Sequence, residues 1–517
     1  MTAPDAPEST RSAAEDTSVE PLLSSLSERG VRLWAEGGQL RFLAPKGGIR
    51  AEELDRLRAS KLAIVELLER AQSSGELPLL ARQPGSRIPL TAVQSQIWKY
   101  LNKDGQLSWR MCVTSARIRG CLNTAVLRRS VEALVRRHES LRTRFVSANG
   151  TLSQMVDDDC GGRFEVIDVS DLAANVVEER TRCLANEFVE EKVHLSVGPL
   201  FAARLFKLSD REHVLVLAAD HIISDGESLV VLSRELWAAY SRAVQGKTWG
   251  LPRLPLQLAD YAVWQEATHI SWRSCHEPYW RQRLTGAPRL RLPTTGGADD
   301  VKSPVGCRLQ VPFGEVLSAQ IENTARRERT FPAIVVLTAY VAALSRWCNQ
   351  RDFLLNFSSS GRSRPELQSM IGFLATPLPL RIEIAEDDCL SDLVRKLHLE
   401  FCAAHSHQDY SRLPDIMPEC MPDVGFVWTS PAAWVVAMDL AECNIAIEPF
   451  DIVRKALPFR LESFFYPGPA GITWSVEYRP DVFGAGTIQR LGRNARQVAE
   501  KLDRQPHARI ASIALED

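Results

Sequence analysis

No pair of cysteines in this chain stands at a C-x-x-C spacing, although it has 11 of them, scattered from Cys112 to Cys443. That absence leaves neither a zinc site nor a redox pair to propose, and the odd count is that of free thiols in a reducing compartment. No apolar run approaches the ~18 residues of a membrane span. The first 18 residues are polar and acidic, without the apolar stretch a secretion signal needs, and are expected to form a disordered leader. Charge of one sign is not in excess: the formal net charge is -2 over 517 residues, which gives no global pull toward nucleic acid or an anionic membrane. Gly246-Lys247-Thr248 imitates the end of a phosphate-binding loop, but Ser241 stands where its first glycine belongs. No His-Glu-x-x-His or Gly-x-Ser-x-Gly run occurs, so metalloprotease and α/β-hydrolase chemistry have no support. The 12 tryptophans are dispersed, as core and cavity wall require rather than a base-stacking platform. A cytoplasmic, non-membrane, non-nucleic-acid-binding protein is expected.

What is present is 45% apolar and 24% charged residues, the composition of a globular protein with about three folding units at ~150 residues each. Val19 to Arg70 reads as one small unit. A short helix starts near Pro21 and stops at Gly30. Val31–Ala35 and Gln39–Leu43 alternate in period two about Glu36-Gly37-Gly38, a hairpin signature. Glu52 to Glu69 then place Leu54, Leu57, Ile64, Val65 and Leu68 on one helical face. About 50 residues hold too little core for much independent stability, so contact with another molecule is the expected purpose. Ala71 to Arg87, rich in Ser, Gly, Pro and Gln, reads as a linker. From Ile88 onward amphipathic helices alternate with short apolar strands, a mixed α/β class. Asn123 is a suitable N-cap for a helix to His138; Val214 to Ala219 is a buried strand; a helix near Glu227 buries Leu229, Leu232 and Leu236; Ala333 to Trp347 repeats the amphipathic pattern.

The chemically informative stretch is Asp220-His221-Ile222-Ile223-Ser224-Asp225-Gly226. It joins the buried strand to the following helix, where a rigid scaffold can present a reactive group. His221 can be held at a fixed angle there. Asp225 can fold back or pair with an arginine, and Gly226 permits a tight turn that brings backbone N–H groups toward a ligand.

This loop resembles the hallmark His-His-x-x-x-Asp-Gly of the condensation domains of nonribosomal peptide synthetases. Other blocks follow in the family's order: Ile88-Pro89-Leu90-Thr91 to Gln94-Ser95-Gln96-Ile97-Trp98; Arg137-His138-Glu139-Ser140-Leu141-Arg142-Thr143-Arg144-Phe145; Leu258 to Gln265 with Tyr279-Trp280; Gly361-Arg362 to Ile371-Gly372-Phe373 and Leu378 to Arg381; and His407 to Tyr410. The front unit is similar to the β-hairpin docking domains at the N-termini of megasynthase proteins, through Leu22-Leu23, Arg29 to Trp34, Leu40-Arg41, Ala44 to Gly47 and Leu57 to Lys61.

The resemblance implies two chloramphenicol-acetyltransferase-like lobes in a V, divided at Ile88 to Gln265 and Glu266 to Asp517, behind an α-β-β-α docking domain. It implies acyl transfer from a carrier-bound phosphopantetheine thioester to an amine or hydroxyl, with no cofactor or metal held by this chain, and it places His221 midway along a tunnel. His221 would be general base, positioning group or stabiliser of the tetrahedral intermediate, with backbone near Gly226 helping the oxyanion. Asp225 would be structural, paired to an arginine for which Arg142 is the choice. Arg32, Trp34, Arg41, Lys46 and Lys61 would receive a short, acidic C-terminal segment of an upstream carrier protein, by charge and strand addition. The acceptor is a second carrier protein or a free small molecule, and a monomer is expected. Two departures matter. Asp220 replaces the first hallmark histidine, and Leu374-Ala375-Thr376-Pro377 replaces the usual Asn-Thr. No adenylation block or Gly-Gly-x-Ser attachment site is present, so loading and carriage of substrate are expected to lie with other proteins. A catalytically inactive docking scaffold and an epimerising relative are the alternatives.

Overall fold

The computed structural model describes residues 32–36, 39–43, 49–50, 53–54, 57, 61, 64–65, 78–104, 111–148, 151–158, 163–191, 193–248, 250–293, 306–409, 412–429, 443–452, 460–468 and 470–515. The leader, the helix expected from Pro21 and Lys46 lie outside the described residues. The hairpin forms where the alternation placed it. Strands β1 (Arg32–Glu36) and β2 (Gln39–Leu43) pair antiparallel with Trp34 opposite Arg41. Glu36 pairs with Gln39, the register of a two-residue connection. Beyond it residues 53, 54, 57, 61, 64 and 65 are helical, with Leu57, Ile64 and Val65 buried.

The larger body holds two sheets. Strands β3 (Met111–Gly120), β6 (Arg163–Asp168), β7 (Phe201–Ser209) and β8 (Glu212–Asp220) belong to the first, and β4 (Thr143–Ala148) and β5 (Thr151–Val156) make a separate hairpin. Helices α1 (Ala92–Asp104), α2 (Thr124–Arg137), α3 (Ala174–Val189), α4 (Gly226–Val244) and α5 (Leu258–Leu284) accompany them. β8 is buried on both faces, as its unbroken apolar run requires. Leu215, Leu217 and Ala219 join the cluster built on α2 and α4, while Val214, Val216 and Ala218 join Ala185 and Phe188 of α3. Asn123 caps α2 by accepting from the Val126 N–H at 3.1 Å, as its residue type predicts.

The second sheet runs β11-β10-β12-β14-β15-β9. Its strands are β9 (Cys307–Phe313), β10 (Asp352–Ser359), β11 (Thr376–Glu383), β12 (Val424–Trp428), β14 (Leu461–Gly468) and β15 (Gly471–Tyr478), packed by α6 (Gly314–Arg327), α7 (Pro332–Cys348), α8 (Leu390–His405) and α9 (Ala485–Arg504). The remaining strand, β13 (Ile445–Pro449), leaves this half and pairs antiparallel with β3, so the first sheet reads β13-β3-β8-β7-β6.

Three expectations change. The lobe boundary at Gln265/Glu266 falls inside α5, a 27-residue helix that continues even through Pro278. The described part of the expected linker, residues 78–87, is packed onto the body: Leu79 is buried, and Arg82 is clamped by Asp260 at 2.9 Å and Glu139 at 2.8 Å. α7 is not amphipathic. It is buried from Ile334 to Ser345, opened by Pro332 and closed by Asn349 in the left-handed region.

Buried histidines give the fold a pH dependence. Burial holds His138 below the ordinary imidazole value even though Glu235 lies 2.8 Å from its Nε2. His407, whose Nδ1 is 2.8 Å from that of His276, is likewise pulled down, by burial first and His276 second. Below the ordinary value of 6.5 the unfolded chain takes up protons that these folded sites refuse, so stability falls as pH drops through that region. Urea midpoints measured at pH 7.5 and at about 5.5 should show the lower value in acid; a pH-independent midpoint would contradict it.

Candidate functional site

β8 delivers the hallmark loop. Asp220 is its last residue and pairs across to Met111 of β3. The next apolar side chains, Ile222 and Ile223, are fully buried in the α2–α4 cluster and act as plugs that fix the turn. Asp220 is itself buried and accepts the Ile222 N–H at 3.0 Å, while its carbonyl accepts the Ser224 hydroxyl at 3.0 Å. A carboxylate in place of the first histidine therefore builds the turn from within. Gln94, wholly buried on α1, donates to the Ile222 carbonyl at 3.0 Å from the other side.

His221 is the only side chain of the Asp220–Asp225 loop that is not buried. Its Nδ1 is 3.0 Å from the Ser224 carbonyl. A carbonyl oxygen can only accept, so Nδ1 carries the proton and Nε2 keeps its lone pair. The Phe373 ring, from the second half of the chain, lies 4.7 Å away at 38°.

Asp225 caps α4 and is 1% exposed. Its carboxylate accepts six hydrogen bonds: Ser228 N–H and hydroxyl at 2.8 and 2.7 Å, Arg362 Nη1 and Nη2 at 2.8 and 2.9 Å, and the Leu374 and Ala375 N–H groups at 3.0 Å each. Burial would raise this carboxyl, but the Arg362 guanidinium and these donors outweigh it and hold the group below the usual carboxylate value. The Arg362 side chain is only 5% exposed and donates to the Ser360 and Met370 carbonyls at 3.0 and 3.1 Å. Ser228 Oγ accepts the Gly372 N–H at 3.0 Å, and the Gly372 carbonyl accepts from Arg362 Nη2 at 3.3 Å. The N-terminus of α4 is thus bolted to the segment between β10 and β11.

Arg142, expected to pair with Asp225, does not. Its Nη1 donates to the Asp157 carbonyl at 2.7 Å and lies 3.8 Å from Asp158, because the turn carrying it packs onto the end of β5. It lines instead a cavity of about 930 Å³ with Arg82, Arg136, Arg137 and Arg253. The partner is Arg362, which stands in a block the sequence had already singled out. Gly226 is the first residue of α4 with no left-handed backbone, and a side chain there would meet nothing within 4 Å. The turn therefore does not require glycine, and the space beside it is open. Gln94, Ser228, Arg362 and Phe373 are the site residues that loop-centred reasoning missed, and all but Ser228 lie in motif blocks it had quoted.

Two further cavities, of about 610 and 120 Å³, join the one beside Arg142. Among the described residues, none of these three has His221 in its lining. Of the residues expected to dock a partner, Arg32 and Trp34 lie in β1, Arg41 is exposed on β2, and Lys61 is half-buried on the helix beyond. Among the described residues no group of three or more His, Cys, Asp or Glu is arranged to hold a metal, and no single helix is long and apolar enough to cross a membrane.

Two α/β sheet systems, with the loop that ends one bolted to a segment of the other, define a two-lobed mixed α/β protein whose reactive group stands where the halves meet. Residues 86–517 match the condensation-domain family model, and the chain belongs to that family. Residues 19–70 match the TubC N-terminal docking domain. The chain is 30% identical over 462 residues to isonitrile lipopeptide synthase of Mycobacterium tuberculosis, covering 84% of this chain and 18% of that protein. It is 28% identical over 407 residues to tyrocidine synthase 3 of Brevibacillus parabrevis, covering 77% of this chain and 6% of the other. This chain thus spans a small part of those relatives. Among solved structures, the X-domain from teicoplanin biosynthesis superposes with a TM-score of 0.74 at 23% identity, over 85% of this chain and all of that one. The first condensation domain of the calcium-dependent antibiotic synthetase, in complex with a substrate analogue, gives 0.69 at 20% identity, over 84% of this chain and all of that one. The family is one of acyl transfer and amide-bond formation.

Proposed function

We propose that this chain transfers an acyl or peptidyl group from a phosphopantetheine thioester on a separate carrier protein to an amine or hydroxyl acceptor, releasing the thiol. The observation that carries the reading is His221: a reachable imidazole whose Nδ1–H is committed to Ser224, so that Nε2 is the basic edge. The acceptor's N–H or O–H donates to Nε2. As its nitrogen or oxygen bonds to the thioester carbon, the proton passes to the ring. Collapse of the tetrahedral intermediate breaks the C–S bond, and the departing sulfur takes that proton. The Gly226 N–H is assigned to the oxyanion; its position in the first turn of α4 and the open space beside that residue support the role. No acyl-enzyme is required, since the thioester is already activated and holding two substrates together lowers the barrier by itself.

The chain binds no cofactor of its own; phosphopantetheine arrives on the partner. The hairpin receives the carrier's acidic C-terminal segment along a strand edge, with Arg32, Trp34, Arg41, Lys46 and Lys61 about it, and the reaction runs in the cytoplasm. Amide and ester formation, and release onto an untethered acceptor, are variants of one step.

The test supplies an acyl-loaded carrier with amine and alcohol acceptors side by side and follows product by mass spectrometry. His221→Ala should lower turnover about 100-fold or more with an unchanged unfolding midpoint, because the ring is only partly buried. Wild-type turnover in that variant would reduce the chain to a docking scaffold.

A further inference from the structure

Acyl transfer by His221 leaves unexplained why so many bonds from the first half of the chain converge on one short stretch of the second. Gly372 is held through its N–H by Ser228 and through its carbonyl by Arg362, and the N–H groups of Leu374 and Ala375 are held by Asp225. These residues flank position 373 on both sides. Its backbone is thereby fixed to α4, the helix that begins at the hallmark loop. The Phe373 side chain packs partly into the first half's core and lays its ring 4.7 Å from the His221 ring at 38°.

Two of the contacts made by His221 restrain it in different ways. The Nδ1–H to Ser224 bond fixes one edge of the ring but permits rocking about that bond. An aromatic ring against the face blocks the rocking and excludes water from that side.

We propose that Phe373 is a positioning residue for His221, supplied by the second half of the chain to hold the imidazole at the angle that points Nε2 at the acceptor. This rests on the acyl-transfer reading above. Asp225, Ser228 and Arg362 then act through Phe373: their network sets the residue that sets the base.

The experiment uses the full chain with an acyl-loaded carrier and its preferred acceptor. Phe373→Leu fills the site with apolar volume but removes the flat face; Phe373→Tyr restores the face. The leucine variant should lose about 10- to 100-fold in kcat with acceptor KM within about threefold of wild type, and the tyrosine variant should stay within about threefold in both. Side-chain 15N relaxation of His221 should show a rigid ring in the wild-type and tyrosine proteins and a more mobile ring in the leucine protein, with the Nδ1–H tautomer kept in all three. Equal losses in the leucine and tyrosine variants would overturn the proposal. So would an unchanged kcat for Phe373→Leu beside an inactive His221→Ala, or a ring as rigid in the leucine protein as in the wild type. Should the leucine variant not fold, Phe373→Met repeats the test with another apolar side chain. If His221→Ala proves active, the acyl-transfer reading fails, yet the ring's mobility still decides whether Phe373 holds it.

Discussion

Arg362→Ala is expected to lower the stability of this protein by about 3 to 5 kcal/mol, the cost of stranding a buried carboxylate when its partner is removed. Arg362 is 5% exposed and Asp225 1%, and the two make a bidentate pair at 2.8 and 2.9 Å. Without the guanidinium the Asp225 carboxylate keeps Ser228, Leu374 and Ala375, four neutral donors for a buried negative charge. Arg362→Lys retains the charge but not the fork, and should fall between wild type and alanine. Removing both charges, with Asp225→Leu and Arg362→Met, should recover part of the stability because no ion is left unpaired. Urea unfolding with the slope held constant measures all three. A loss below about 1 kcal/mol for Arg362→Ala, the range of an exposed ion pair, would show that this pair does not lock the halves. Since the Asp225 carboxyl sits below its ordinary value of 3.8, its contribution is complete above that pH and disappears only as pH falls through the folded value. The lock is therefore constant across the neutral range, where the buried histidines are the groups that respond.

The second large effect is expected one residue earlier. Gly361 has φ +65°, and a Cβ there would sit 1.8 Å from the Leu374 carbonyl oxygen. Gly361→Ala thus combines left-handed strain with a clash against backbone that Asp225 holds in place. About 2 to 5 kcal/mol is the expected loss. Gly226→Ala is the contrast, for its backbone is ordinary helix and its surroundings are empty; it should be neutral or gain up to about 1 kcal/mol. Equal stabilities for the two variants would contradict the picture of a pinned loop. The glycine that the motif advertises is thus not the one the fold needs.

Local structure was legible because its causes are local. Val214 to Ala219 could only be a strand buried on both faces, Asn123 could only begin a helix, and two glycines between alternating runs made the docking hairpin. His221 was found because strand, loop and helix are contiguous in sequence. Its surroundings were not. Arg362 lies 137 residues from Asp225, and only tertiary structure chooses it over Arg142. Charge complementarity alone fits either arginine; what decides is that Arg142 is already committed to the end of β5. The expected lobe boundary lies within one continuous helix, so no break in secondary structure marks where one half gives way to the other.

The passage of β13 into the first sheet has a consequence for recombining such proteins. A chimera that joins the first half of one parent to the second half of another imports a foreign edge strand. Its amides must then match β3 over Ile445 to Pro449. Severing the chain ahead of Cys443 would uncover β3 as a bare rim, a template for sticking to other chains. The modular unit for exchange is therefore both halves together, and gene-level cut sites belong outside residues 86–517.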